Sequence, residues 1–220
     1  MSFSDEELSK RQAIIDHCLK MNSTGLNQGT SGNISIRHKG GLLISPSSRP
    51  YASLKPVDIM FLEMDGTAHG PWAPSSEWRF HRDIMASRPD TNAIVHAHPN
   101  YCTTLAIMGK AIPAIHYMIA IFGGPTIRCA PYAIYGSEEL SNHALEAMED
   151  RNACLLGHHG MIAAGANIEQ TFWLAEELET LARQYHGCLQ LGDPPLLSDE
   201  QIADVIEKFQ GYGMTESDQG

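Results

Sequence analysis

The chain has 220 residues, 43% of them apolar and 19% charged, enough for one well-buried core and too apolar for long disorder. Lys and Arg total 15 against 26 Asp and Glu, a formal charge of -11, so the molecule repels polyphosphate and anionic lipid; neither nucleic acid nor a membrane is an expected partner. Cys18, Cys102, Cys129, Cys154 and Cys188 are odd in number and contain no C-x-x-C pair, as reduced thiols would be. Ser4-Asp5-Glu6-Glu7 is acidic where a signal peptide would be basic, and no apolar run reaches the roughly 18 residues of a bilayer span, so the expected location is the cytoplasm.

Ser4 with Glu7 forms a capping box for an opening helix whose apolar stripe is Leu8, Ile14, Ile15, Cys18 and Leu19 and which Gly25 closes. Residues 33–37 and 42–45 flank the hairpin turn Lys39-Gly40-Gly41, and residues 58–64 form a further predicted strand ending at Asp65-Gly66. A helix is predicted from Pro74-Ser75-Ser76, then a strand over 93–98, a short helix after Pro99, and a stretch broken by Pro and Gly over 113–131. Ser137 opens another helix, residues 153–157 and 161–165 read as strands, and residues 168–191 form the longest amphipathic helix, stopped by Asp193-Pro194-Pro195. Ser198 with Gln201 makes a second capping box for a last helix to about residue 210. No repeat, low-complexity tract or linker divides the chain, so one α/β domain is expected.

In Ala93-Ile94-Val95-His96-Ala97-His98 the strand period of two puts His96 and His98 on one face, side by side and able to chelate one ion. An H-x-H pair is equally compatible with two half-exposed strand histidines. A third donor is on offer in Gly157-His158-His159-Gly160 at the end of another apolar strand. Adjacent side chains diverge on extended backbone, so one of His158 and His159 should reach the ion, and spacing does not choose between them. Three protein ligands with an open position is the catalytic zinc pattern.

In Pro74-Ser75-Ser76-Glu77-Trp78-Arg79-Phe80-His81, Ser75 or Ser76 can cap a helix and leave an anion site beside the Glu77 carboxylate. The plainer alternative is a surface helix start with Glu77 and His81 paired at i, i+4. Gly29-Thr30-Ser31-Gly32-Asn33 lacks the Gly-Lys-Ser/Thr of a Walker loop, yet offers backbone N–H groups and neutral donors for an anion, and Ser45-Pro46-Ser47-Ser48 could close the same pocket.

Together Gly29-Thr30-Ser31-Gly32-Asn33-Ile34-Ser35, Ser75-Ser76-Glu77-Trp78-Arg79-Phe80-His81, His96-Ala97-His98 and His158-His159-Gly160 resemble the class II aldolase and adducin family, most closely its bacterial aldolases acting on L-fuculose 1-phosphate. The likeness covers nearly the whole chain, including Ile112-Pro113-Ala114-Ile115-His116-Tyr117-Met118 and Glu207-Lys208-Phe209. It implies one α/β domain over residues 1–214 with a mainly antiparallel central sheet flanked by helices, and a flexible tail at 215–220. It further implies a fourfold homotetramer with active sites at subunit interfaces, and one Zn2+ per subunit.

By position, His96, His98 and His159 match the zinc ligands, and Glu77 matches a residue that binds zinc at rest and becomes the base. Thr30, Asn33, Ser47, Ser48, Ser75 and Ser76 fall in the phosphate site; Tyr117 matches a proton donor from a neighbouring subunit and Tyr212 a mobile C-terminal tyrosine. The implied reaction is reversible cleavage of a ketose 1-phosphate to dihydroxyacetone phosphate and a small aldehyde. Departures lie at the aldehyde end: Ser48 for glycine, Tyr135 for phenylalanine, and Pro99-Asn100-Tyr101 for smaller residues. They leave open 5-deoxyribulose 1-phosphate or 5-methylthioribulose 1-phosphate as substrate. A pentulose-phosphate 4-epimerase usually has aspartate at position 77, and an adducin-like interaction module has lost metal ligands; both fit these residues less well.

Overall fold

The computed structural model describes residues 3–210. Helix α1 (Asp5–Ser23) starts where its cap chemistry places it: Ser4 Oγ accepts the Glu7 N–H at 3.2 Å, and Asp5, Glu6 and Glu7 sit in the first turn, where the helix dipole favours them. Ile14, Ile15 and Cys18 of the predicted stripe are buried. Leu8 and Leu19 stay exposed, because Met21 and an Arg11–Glu7 ion pair at 2.8 Å occupy the inner face instead.

The chain then builds one eight-stranded sheet from β1 (Asn33–His38), β2 (Gly41–Ile44), β3 (Met60–Glu63), β4 (Ala68–His69), β5 (Ala93–Ala97), β6 (Cys129–Ala130), β7 (Ala153–Leu156) and β8 (Gly160–Gly165). Their spatial order is β4-β3-β2-β1-β5-β8-β7-β6, antiparallel throughout except for the β6–β7 pair. Helices α2 (Trp78–Ser87) and α4 (Glu138–Ala147) cover one face; α1, α3 (Asn100–Ile107), α5 (Ile168–Leu191) and α6 (Asp199–Gln210) accompany the other. The period of two sorts side chains between these layers. Ala93, Val95 and Ala97 of β5 join the α1/α3/α5 core, while Ile94 joins Phe80, Ile84, Leu140 and Ala144. Since both faces are covered, β5 is buried at every position.

Two boundaries move, the first for a local reason and the second for a tertiary one. The strand predicted over 58–64 begins at Met60, because Pro56–Asp58 winds into a 3-10 turn in which Asp58 Oδ2 accepts the Lys55 N–H at 2.8 Å. The helix predicted from Pro74 begins at Trp78. Pro74 bridges Pro46 and the Ser75 N–H donates to the Ser45 carbonyl at 3.0 Å, which holds the segment extended. The short strands β4 and β6 were not predicted; β6 lies inside the Pro- and Gly-broken stretch. The second capping box forms as expected, Gln201 N–H to Ser198 Oγ at 3.2 Å and Ser198 N–H to Gln201 Oε1 at 2.9 Å. Tyr212 and the tail at 215–220 lie outside the described residues. Among those residues, no helix is long and apolar enough to cross a membrane.

Candidate metal centre

Antiparallel pairing sets Asn33, the first residue of β1, directly opposite His96 near the end of β5, so both side chains stand on the same face. His96 is fully buried, with its ring edge-on to Phe80 at 5.3 Å. Its Nδ1 lies 2.9 Å from the Met161 carbonyl, to which it donates, so Nε2 is the nitrogen left to ligate. His98 follows at the strand end, with its Nε2 2.9 Å from that of His96.

The third ring comes from the tight turn between β7 and β8. His158 is held at φ 54, in the left-handed region, and this reversal separates two neighbouring side chains: His159 joins the cluster while His158 does not. Gly160 lets the turn pack closely, since a Cβ there would lie 2.5 Å from the Ala97 carbonyl oxygen and 2.7 Å from His98 Cδ2. The rings of His96, His98 and His159 are mutually edge-on, every pair of centroids 4.8 Å apart.

Glu77 closes the cluster, with Oε2 3.1 Å from His96 Nε2 and Oε1 3.1 Å from His159 Nε2. One ligand atom from each of the four residues lies within 4.8 Å of the other three. Bonds of about 2.0–2.2 Å to a tetrahedral ion place ligand atoms about 3.3–3.6 Å apart, and the spacings of 2.9, 3.1 and 3.1 Å lie a little below that. Glu77 Oε1 is buried with only the His159 ring nitrogen against it among the described residues, as befits an atom directed at a cation. The residues therefore fit a divalent metal, with three imidazoles and one carboxylate to hold it. Burial alone would raise the Glu77 carboxyl, but the charge of His96 and hydrogen bonds from His159 and His96 outweigh it and hold the group well below the usual carboxylate range. Burial, reinforced by His96 and His159, pushes His98 down to about 3, so its ring is neutral and free to ligate.

A cavity of about 600 Å³ opens above these donors. Thr30, Asn33, Ser47, Ser48, Ser75 and Ser76 all line it, together with Glu77, His98 and His159. Among the described residues no lysine or arginine does, so an anion there would meet hydroxyls, amides and backbone N–H groups. The two serine loops are fastened to one another: the Ser47 N–H donates to the Ala73 carbonyl and the Ser75 N–H to the Ser45 carbonyl, both at 3.0 Å. Ser48 sits at φ 54, a left-handed position that glycine occupies at least cost.

Neither serine caps α2. Glu77 itself is the N-cap residue, and Ser75 Oγ accepts the Glu77 N–H at 3.3 Å one step earlier. The surface pair of Glu77 with His81 does not form either, because His81 is fully buried and bonds to Asn33 and Ser35. Tyr117 is half exposed in a 3-10 helix, its ring 4.7 Å from that of His116, and is not part of the cavity wall of its own chain. Sequence reasoning did not single out Tyr132, which stands at the cavity with Tyr135, nor Gln28. Tyr132 packs edge-on to His158 at 6.1 Å, a contact created by a turn conformation that spacing does not reveal.

Residues 12–186 match the model of the class II aldolase and adducin N-terminal domain. The chain is 50% identical over 206 residues, 94% of its own length and 93% of the relative's, to a 5-methylthioribulose-1-phosphate/5-deoxyribulose-1-phosphate aldolase of Rhodospirillum rubrum. It is 52% identical over 202 residues, 91% of its length and 94% of the relative's, to the L-fuculose phosphate aldolase of Escherichia coli K12. Among solved structures, an L-fuculose 1-phosphate aldolase superposes with a TM-score of 0.90 at 38% identity, covering 96% of this chain and 98% of that one.

Proposed function

Given that the chain belongs to the class II aldolase and adducin family and is an aldolase of class II, we propose that it cleaves a ketose 1-phosphate of the L-fuculose 1-phosphate type reversibly to dihydroxyacetone phosphate and a small aldehyde, with Zn2+ as its metal. The observation that carries this reading is the junction of two half-sites in one cavity: a four-ligand cluster that includes a carboxylate, and a cradle of neutral anion donors beside it. A fourfold homotetramer, a cytoplasmic location and a domain spanning residues 1–214 belong to the same proposal.

The phosphate would accept hydrogen bonds from Thr30, Ser47, Ser48, Ser75 and Ser76, and from the amide hydrogen of Asn33 not spent on Glu77. Anchored there, the ketose presents its carbonyl and C3 hydroxyl to His96, His98 and His159. A zinc ion held by those rings supplies a Lewis acid for the negative charge that develops when the C3–C4 bond breaks. In the condensation direction Glu77 takes a proton from C3 of dihydroxyacetone phosphate, and in cleavage it returns that proton to C3. Tyr117 of a neighbouring subunit gives a proton to the aldehyde oxygen in condensation and takes it back in cleavage; a catalytic part for Tyr212, which lies outside the described residues, belongs to the same proposal.

A second substrate reading, 5-deoxyribulose 1-phosphate or 5-methylthioribulose 1-phosphate, is favoured by the Rhodospirillum relative and by Tyr132 and Tyr135, which widen the aromatic wall at the cavity. Incubation of the purified, zinc-loaded enzyme with fuculose, ribulose, 5-deoxyribulose and 5-methylthioribulose 1-phosphates, followed by assay of dihydroxyacetone phosphate, separates the readings. The highest kcat/KM identifies the aldehyde; no release from any of the four would overturn the ketose 1-phosphate aldolase proposal.

A further inference from the structure

A line of buried polar groups runs from Glu77 away from the cavity into the α2 face of the sheet. Asn33 Nδ2 donates to Glu77 Oε2 at 3.0 Å, Asn33 Oδ1 lies 2.5 Å from His81 Nε2, and His81 Nδ1 lies 2.7 Å from Ser35 Oγ. Ser35 and His81 are fully buried, Asn33 and Glu77 nearly so. Hydrogen-bond chemistry leaves one assignment for each proton. A carboxylate only accepts, so the Asn33 NH2 must face Glu77 and its carbonyl must face His81. His81 then donates from Nε2, which leaves Nδ1 bare, and the Ser35 hydroxyl donates to it. Burial, with the charge of His96, pushes His81 down to about 3, so a neutral single tautomer is what this site holds.

We infer that His81 and Ser35 are positioning residues: they fix which way the Asn33 amide faces and through it the orientation of the Glu77 carboxylate. The inference rests on the role proposed above for Glu77. Its physical basis is that an unclamped Asn33 amide can turn, which would put its carbonyl against the carboxylate or leave Oε2 without a donor. In either case Glu77 loses the support that keeps Oε2 on Asn33 and Oε1 directed at the metal ligands. The α2 helix carries the consequence in its spacing, because Glu77 at its N-cap and His81 one turn later grip the same asparagine from two sides.

The test uses the zinc-loaded enzyme, with and without the ion, and two readouts. In the first, 15N NMR of histidine-labelled protein should show His81 protonated at Nε2 and bare at Nδ1, and Ser35→Ala should shift the Nδ1 resonance. A proton on Nδ1 overturns the inference, and this arm holds whatever the substrate proves to be. In the second, His81→Leu should lower kcat about 10–100-fold, the range found when groups supporting a metal site are removed, with KM within about twofold and zinc stoichiometry unchanged. His81→Gln, whose amide can donate to Asn33 Oδ1, should recover part of that loss. Wild-type kcat in a folded His81→Leu enzyme overturns the inference, as does equal loss in the Leu and Gln variants. If His81→Leu does not fold, Ser35→Ala with the tautomer measurement decides: an unmoved Nδ1 resonance overturns it. If the wild-type enzyme cleaves no ketose phosphate, the aldolase proposal fails by itself, and the tautomer together with zinc affinity still reads the clamp.

Discussion

At the scale of single residues, Glu77 serves two demands that pull in different directions. As a member of the donor cluster it must stay ionised, and the imidazoles around it secure that against a burial that would raise it. As the group proposed to move the C3 proton it must also be releasable, which suits a carboxylate held at one oxygen by the Asn33 amide and facing only the His159 ring at the other. The variant Glu77→Gln separates the two. The amide keeps an oxygen in place and leaves the three imidazoles intact, so metal content measured by elemental analysis should stay near one ion per chain. It cannot accept the proton, so turnover should fall by about 100-fold or more, the lower bound expected for loss of a general acid–base. Retained turnover would remove Glu77 from the chemistry; lost metal would make it chiefly a ligand.

At the scale of elements, the site depends on how closely the β7–β8 turn meets the end of β5. Gly160 is the point of approach, and the Cβ of Gly160→Ala would have to push aside the Ala97 carbonyl and the His98 ring. Overpacking of this kind costs about 1–3 kcal/mol, so the urea midpoint should drop, and metal affinity should drop with it because His98 is displaced. A variant with wild-type midpoint and metal content would show the turn to be more compliant than its geometry implies. The same turn marks where sequence reading ended. Helix caps at Ser4, Ser137 and Ser198 were legible because a cap is a local bargain between a hydroxyl and an N–H three residues on. The common face of His96 and His98 was legible because a strand has a fixed period. The choice of His159 over His158 was not, since it turns on one φ angle in a turn. Nor was the delayed start of α2, because the partner that keeps Ser75 extended is Ser45, on a loop far away in sequence. His81 stood in a motif already noted, but its role emerged only from the register of β1, which sets Asn33 and Ser35 beside it.

At the scale of the whole molecule, the strand order brings the start of β1, the end of β5, the β7–β8 turn and the loop before α2 to one end of the sheet, and there the proposed phosphorylated substrate would bind to a chain of net charge -11. Among the described residues the cavity offers no lysine or arginine to offset that field. On that proposal its attraction for phosphate would be confined to hydrogen bonds and to the metal, which act at contact distance and are little affected by salt, whereas repulsion by the rest of the surface acts through water and is screened. Between about 10 mM and 150 mM salt the screening length falls from about 30 Å to about 8 Å, so distant carboxylates cease to oppose the approach of the dianion. The KM for the preferred ketose 1-phosphate, measured at fixed pH and saturating zinc with a non-coordinating salt, should therefore fall or stay level as ionic strength rises, while kcat holds. An enzyme that gathers phosphate with a basic field behaves in the opposite sense, losing affinity as salt is added. A clear rise in KM over this range would mean that cationic groups outside the cavity wall, or from a neighbouring subunit, contribute to capture, and would shift the search for the missing contacts to the subunit interface.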